Sequence, residues 1–428
     1  MRTWIRTIGI IVIALTLTSC SPVEVDQSKI TIWHWMTDRK VAFQELAAKY
    51  KEQTGTEVEF KLFFPPDIYS QKVTAAARSN NLPDIFSILG EKKTVGSFIK
   101  ADYILNLKPY MMENSSSWRK RFYPQALRLT TFEKDNAYGT PEGIYSAPID
   151  TTIMQFVYNK TLFKKAGLNP NAPPKTFEDF LEYAKKAQDT ENAVGFICGW
   201  GESWLINALA TEWAINLMGE EKFLKTIKGE VPYTDQEWLE VFSLFAKLKD
   251  ANILAPSIIS ITNKESENAF SKDKVFFSFN GSWAINAYKQ LNPDLEYGFF
   301  SLPRASMAHP VKVWGGAGSS FMVNANSPRK EEAVALLQWL TTKEQQLFLA
   351  TQTNNLPSIK GCERELSPLL QDMLGALNNL THPNIWPVNE DSRVSEVFDL
   401  SLQQIVSGIK TPQEAAGKIQ DKKEKVSK

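Results

Sequence analysis

Cysteine and histidine are scarce in this chain: 428 residues hold only three of each, Cys20, Cys198 and Cys362, and His34, His309 and His382. So few cysteines exclude a scaffold stapled by disulfides. Cys198 and Cys362 also lack the close spacing of a redox pair, although one disulfide between them stays open. The histidines show no mutual spacing that would ligate a metal, and no cofactor is expected. An excess of either charge is absent too, with 48 Lys plus Arg against 48 Asp plus Glu, so there is no electrostatic case for a nucleic acid partner. No Gly-x-Ser-x-Gly elbow, phosphate-cradling glycine loop or solenoid repeat occurs, and no segment beyond the first twenty residues could span a membrane. Against these absences stands a surplus of 12 Trp, 12 Tyr and 25 Phe. Many of the tryptophans adjoin glycines or polar residues, a placement that suits a recognition surface.

The chain opens with Met1-Arg-Thr-Trp-Ile-Arg6, an apolar stretch from Ile8 to Leu17, and Thr18-Ser19-Cys20. A positive end, a short apolar core and small residues are the layout of a secretory signal, here residues 1–19. Leu17-Thr-Ser-Cys20 resembles the bacterial lipobox, which implies a diacylglyceryl group on Cys20 and a fatty chain such as palmitate on the new amino terminus. Several chains anchor stably where one does not. An ordinary signal that contains a cysteine is the alternative. The expectation is an extracytoplasmic protein, lipid-anchored to the cell membrane through a polar tether at residues 20–28; which membrane stays open.

About 410 residues remain after the signal, too many for one small core, so two lobes are expected. From Lys29 the pattern reads strand (Ile30 to Trp33), helix (Val41 to Tyr50, ending at Gly55), strand (Glu57 to Phe63), helix (Ile68 to Arg78), strand (Pro83 to Ile88). Such alternation implies a parallel sheet wrapped by helices, with ligands at the loops beyond the carboxyl ends of the strands. Further helices are expected near 177–187, 204–217, 238–249 and from Pro328, with strands near 154–158, 274–280 and 319–324. The lysine-rich tail from Lys418 is expected to fray.

Four blocks follow one another along the chain. They are Ile30-Thr-Ile-Trp-His-Trp35 with Leu82-Pro-Asp-Ile85; Tyr145-Ser-Ala-Pro-Ile-Asp-Thr151 with Val157-Tyr-Asn-Lys160; Phe276-Phe-Ser-Phe-Asn-Gly-Ser-Trp-Ala284; and Trp314-Gly-Gly-Ala-Gly-Ser-Ser320 with Asn355-Leu-Pro357. Together, and with Asn384-Ile-Trp-Pro387 near the end, they resemble the extracellular solute-binding protein family one, the ABC-importer receptors that include maltose-binding protein. The resemblance implies a bilobed α/β fold of the periplasmic-binding-protein type II, with two discontinuous lobes around a central ligand cleft. Residues 29–149 plus 317–365 would form the first lobe and 150–316 plus 366–428 the second. It also implies a monomer whose lobes close on a sugar, the closed form being recognised by a membrane permease.

A sugar presents a face of C–H groups and a rim of hydroxyls, so its cleft needs flat aromatic surfaces and fixed donors and acceptors. The resemblance places Trp35 and Asp38 in the cleft after the first strand, although Trp33 and Trp35 flank that strand and one of them belongs to the core. Trp200 and Trp204 stand where the family has an aromatic wall, with a core role for Trp204 as the competing reading. Asn280-Gly-Ser-Trp283 matches the family's Asn-Gly-x-Trp element, whose tryptophan often stacks on a sugar ring; a turn that only packs is the alternative. Glycines after Trp314 permit close approach and positive φ, so Gly315 and Gly316 would turn N–H groups to a ligand, or serve a hinge. Asp150 and Thr152 lie at the other lobe crossing and Glu91 follows the Pro83-Asp-Ile85 strand; these carboxylates would accept hydroxyl protons, or are solvated. Trp386 and Arg393 belong to an element that completes the cleft. Two features depart from the family: Ser87 to Lys93 lacks an aromatic common there, and Phe321 and Met322 replace shorter aliphatics.

Scattered carboxylates could also form the pair that a glycosidase needs, so a secreted glycoside-processing enzyme is the alternative by class. Within the fold, the alternative is a receptor for a polyamine or other small cation boxed by tryptophans, for which only Asp38, Glu91 and Asp150 offer carboxylates. The reading adopted is a receptor without enzymatic activity that delivers a sugar or oligosaccharide to an ABC-type importer.

Overall fold

The computed structural model describes residues 28–89, 92–128, 130–136, 138–190, 192–381 and 390–427. Cys20, Glu91 and Trp386 lie outside the described residues. The alternating elements at the start build a five-stranded sheet in the order Glu57–Leu62, Lys29–His34, Ile85–Phe86, Ser320–Val323, Ala147–Pro148. The first three strands are parallel, as crossover helices require, and Ser320–Val323 runs antiparallel to both of its neighbours. The helix Lys40–Thr54 buries Ala42, Phe43, Leu46 and Tyr50 on one stripe and ends at Gly55, whose φ of 77° returns its N–H to the Lys51 carbonyl at 2.8 Å. Phe43 stacks on Phe60 at 4.6 Å and meets Phe321 at 6.1 Å, so the larger side chain noted at 321 fills this core.

One strand organises the second sheet: Asp150–Asn159, buried along its whole length. It pairs antiparallel with Val275–Gly281, Tyr297–Phe300, Val313–Ala317 and Leu356–Pro357. Val194–Ile197 joins parallel to Val275–Gly281, and Leu380–Thr381 parallel to Val313–Ala317. Both faces are covered, which is why its centre is apolar without alternation. Met154, Phe156 and Tyr158 enter one aromatic core, with Phe156 ringed by Phe180, Phe196, Trp213, Phe279 and Phe300, while Ile153 and Val157 enter two others.

The chain passes from the first sheet to the second across Ile149 and back across residues 318–319. Ile149 N–H donates to the Ser319 carbonyl at 2.8 Å and Gly318 N–H to the Asp150 carbonyl at 3.1 Å, so the two crossings form one continuous ladder. A third segment lies against it, with Ser358 Oγ donating to the Pro148 carbonyl at 2.7 Å and Thr151 Oγ1 to the Pro357 carbonyl at 3.0 Å. Leu356–Pro357, within the range expected for the first lobe, thus pairs with the second sheet.

The tail departs from expectation. Instead of fraying, Pro412–Ser427 is a helix that buries Ala415, Ala416 and Ile419 in the second-lobe core. Its lysines occupy the other positions, except Lys423, whose Nζ is held by both Glu390 oxygens at 2.7 Å and by the Ile227 carbonyl at 2.7 Å.

Candidate ligand-binding site

Three tryptophans of the second sheet and its helices come together in a row. Trp204 lies 5.9 Å from Trp283 and 6.2 Å from Trp314, ring centroid to ring centroid, and all three are half-buried. Trp283 follows the strand Val275–Gly281 and leads into the helix Ala284–Leu291. Its indole N–H donates to Glu267 Oε1 at 3.1 Å. Trp204 begins the helix Trp204–Ile227 and its indole N–H donates to Glu202 Oε2 at 3.3 Å. The main-chain N–H of Trp314 donates at 2.7 Å to Glu212, whose carboxyl is pushed well above the usual carboxylate range by burial, against that hydrogen bond. Flat, half-exposed rings on rigid elements are what stacking on a sugar face requires.

On the first lobe, Trp35 is half-buried and tilted against Tyr69 at 5.3 Å. Asp38 accepts from Asn355 Nδ2 at 3.3 Å and lies 3.5 Å from Arg39 Nε, while its carbonyl accepts from Asn286 Nδ2 at 3.4 Å. That last bond joins the loop after the first strand to the helix that follows Trp283, bringing Asp38 toward the second-lobe wall.

Several expected site residues are placed elsewhere. Trp200 is fully buried against Phe196 and Phe245, at 5.6 and 5.9 Å, and is core. Asn280 is buried within its strand, its side chain accepting from the Gly281 N–H at 2.8 Å. Asp150 is not free for hydroxyls: it is ion-paired with Arg39 and accepts from Ser319 N–H at 2.6 Å and Ser319 Oγ at 3.0 Å. Burial opposes the Arg39 charge, but Asp150 and Asp38 more than offset it and raise its pKa. Thr152 is buried, its Oγ1 3.4 Å from Ser282 Oγ. Gly315 and Gly316 are buried opposite Ile153 and Thr152, and a Cβ on Gly315 would lie 2.5 Å from the Thr152 carbonyl oxygen. The close approach that needs glycine there is to a neighbouring strand, not to a ligand. Arg393 is exposed and forks Asp391 with two bonds of 2.9 Å, which hold that carboxyl down at about 2. Cys198 and Cys362 are both buried and unpaired, in separate cores.

The residues that sequence reasoning missed are the supports. Glu202 was within reach, lying between the two nominated tryptophans of Gly199 to Trp204. Glu267 and Glu212 give no signal, since their partners belong to other elements. Asp399 gives no signal in the sequence either: on the helix Ser392–Val406, it accepts from Asn207 Nδ2 at 2.6 Å beside the start of the Trp204 helix. Burial pushes its carboxyl up to about 6, against hydrogen bonds from Asn207 and Ser203. Because the folded value exceeds the unfolded one, the stability it confers is full below about pH 4 and is lost as pH rises through 6. Asp399→Asn is therefore expected to match the native protein in urea midpoint at pH 4 and to exceed it at pH 7.5. An equal gap at both pH values would mean that the carboxyl titrates normally.

A model of the bacterial extracellular solute-binding proteins matches residues 45–373. The multiple sugar-binding protein of Streptococcus mutans is 23% identical, over 86% of this chain and 86% of its own. Among solved structures, a chitin oligosaccharide binding protein superposes with a TM-score of 0.75 at 21% identity, covering 93% of this chain and 98% of its own. Maltose-bound MalE3 of T. maritima superposes with 0.76 at 18% identity, covering 93% and 99%. The fold is the bilobed α/β architecture of the maltose-binding type, two discontinuous lobes around a cleft, and no helix among the described residues is long and apolar enough to cross a membrane. With a family model covering most of its length and both sheets laid out in this way, the chain belongs to the bacterial extracellular solute-binding proteins.

Proposed function

We propose that this protein is an extracytoplasmic receptor that binds a sugar or oligosaccharide between its lobes and passes it to an ABC-type importer. The observation that carries this reading is the row of half-exposed tryptophans at 204, 283 and 314, whose supports leave the ring faces as the recognition surface. Trp35 and Asp38 would face them from the first lobe, with Asp38 as a hydroxyl acceptor. A lipid on Cys20 would keep the receptor near its permease and raise the local concentration of loaded protein there. The names of the relatives, one binding multiple sugars and one chitin oligosaccharides, support the same ligand class. A cation reading has little to draw on: Asp150 is engaged by Arg39, and Glu202 and Glu267 hold indole N–H groups.

The test is a thermal-shift screen of the mature protein with maltose, maltotriose, raffinose and chitobiose, followed by chromatography of the sugar. A receptor raises its melting temperature and returns the sugar intact; cleaved product would establish an enzyme instead, and a shift with spermidine but no sugar would establish the cation reading. With a binding sugar in hand, Trp283→Ala is expected to weaken affinity at least about fivefold, or ~1 kcal/mol, by calorimetric titration. Unchanged affinity would remove Trp283 from the site.

A further inference from the structure

We propose that Glu267 is the positioning residue of the tryptophan wall, and that Trp204 and Trp283 meet the ligand through their ring faces alone; this rests on the sugar-receptor reading above. Glu267 lies in the helix Asn263–Phe270, and only 1% of its side chain is exposed. Its Oε1 accepts from Trp283 Nε1 at 3.1 Å and from Asn263 Nδ2 at 2.9 Å, and its Oε2 accepts from Lys264 Nζ at 2.8 Å. The main-chain N–H of Asn263 donates to Glu202 Oε1 at 2.8 Å, and the other oxygen of Glu202 accepts from Trp204 Nε1 at 3.3 Å. One hydrogen-bonded chain thus runs from Trp283 through Glu267, Asn263 and Glu202 to Trp204.

Two glycines make this chain possible. A Cβ on Gly199 would lie 2.5 Å from the Asn263 main chain, so the helix start seats against the loop only because Gly199 has none. A Cβ on Gly281 would lie 1.9 Å from the Trp283 ring, which therefore rests flat over that glycine with its N–H turned to Glu267. A ring held in this way has little freedom left to lose when a ligand stacks on it, so the ordering cost is met in folding rather than in binding. The indole donors of Trp204 and Trp283 are both occupied, so these two rings do not select among hydroxyl orientations.

Two variants separate position from charge. Glu267→Gln keeps an acceptor for Trp283 and Asn263 and turns its amide toward Lys264, whose side chain is 55% exposed and free to swing away. Glu267→Leu keeps the bulk and removes the acceptor. In the ligand-free protein, with the Trp283 indole N–H resonance assigned by Trp283→Phe, exchange of that proton with water is expected to be about tenfold faster in Glu267→Leu and near native in Glu267→Gln. Unchanged exchange in Glu267→Leu would overturn the proposal. For a sugar from the screen that binds the native protein, Glu267→Leu is expected to bind about tenfold more weakly and Glu267→Gln within about twofold, below both melting transitions. Equal losses in the two variants would also overturn it. Altered exchange in Glu267→Leu, with no sugar bound by the native protein, would sink the sugar reading and leave the positioning role standing.

Discussion

Lys423→Met is expected to lower the melting temperature by on the order of 10 °C, a loss of roughly 3–5 kcal/mol. The size follows from burial. The native ammonium meets both oxygens of Glu390 at 2.7 Å, and only 11% and 2% of the two side chains are exposed. Without it, Glu390 is left buried with, among the described residues, the Tyr233 hydroxyl at 2.9 Å as its remaining side-chain donor. Replacing the whole network by Lys423→Met, Glu390→Leu and Tyr233→Phe is expected to recover most of the loss, because no polar group is then stranded. A single variant that costs less than ~1 kcal/mol in urea unfolding would mean that water reaches the pair.

Gly281→Ala is expected to weaken sugar binding by about tenfold or more, at least as much as removing the Trp283 ring. The new Cβ would sit 1.9, 2.2 and 2.3 Å from three ring carbons of Trp283. The backbone at 281 has no left-handed requirement, so clearance alone explains the glycine. The indole must swing out, breaking its bond to Glu267 and disturbing the row with Trp204. Calorimetric titration with the best sugar of the screen measures the loss, and far-ultraviolet dichroism checks that the fold survives. Native affinity in this variant would mean that Trp283 is not a stacking platform.

Local periodicity made most of the fold legible. The stripe Phe43, Leu46 and Tyr50, the stop at Gly55 and the short β-branched strands all lie within a few residues of where the structure has them. The site was half legible, because an aromatic beside glycines advertises itself whereas its partner does not. Trp204, Trp283 and Trp314, each nominated from its neighbours in sequence, lie together, but Trp200, in the same six-residue stretch as Trp204, could not be told from it without knowing where Phe245 would pack. Asp150 read as a free acceptor since its ion-pair partner, Arg39, lies on a distant part of the chain. The tail's lysines point to fraying, whereas Ala415, Ala416 and Ile419 among them mark the apolar face that packs.

The ladder that joins the two sheets also governs how the halves can move. A linker of loose chain would let them translate, twist and separate independently. Here residues 147–153 run hydrogen-bonded beside 315–321, with Leu356–Pro357 strapped alongside, and such a ribbon bends far more easily than it stretches or shears. Closure about this ribbon would therefore follow essentially one angular coordinate. A single pair of dyes placed across them reports the whole motion, which suits this scaffold to use as an optical gauge for its own ligand.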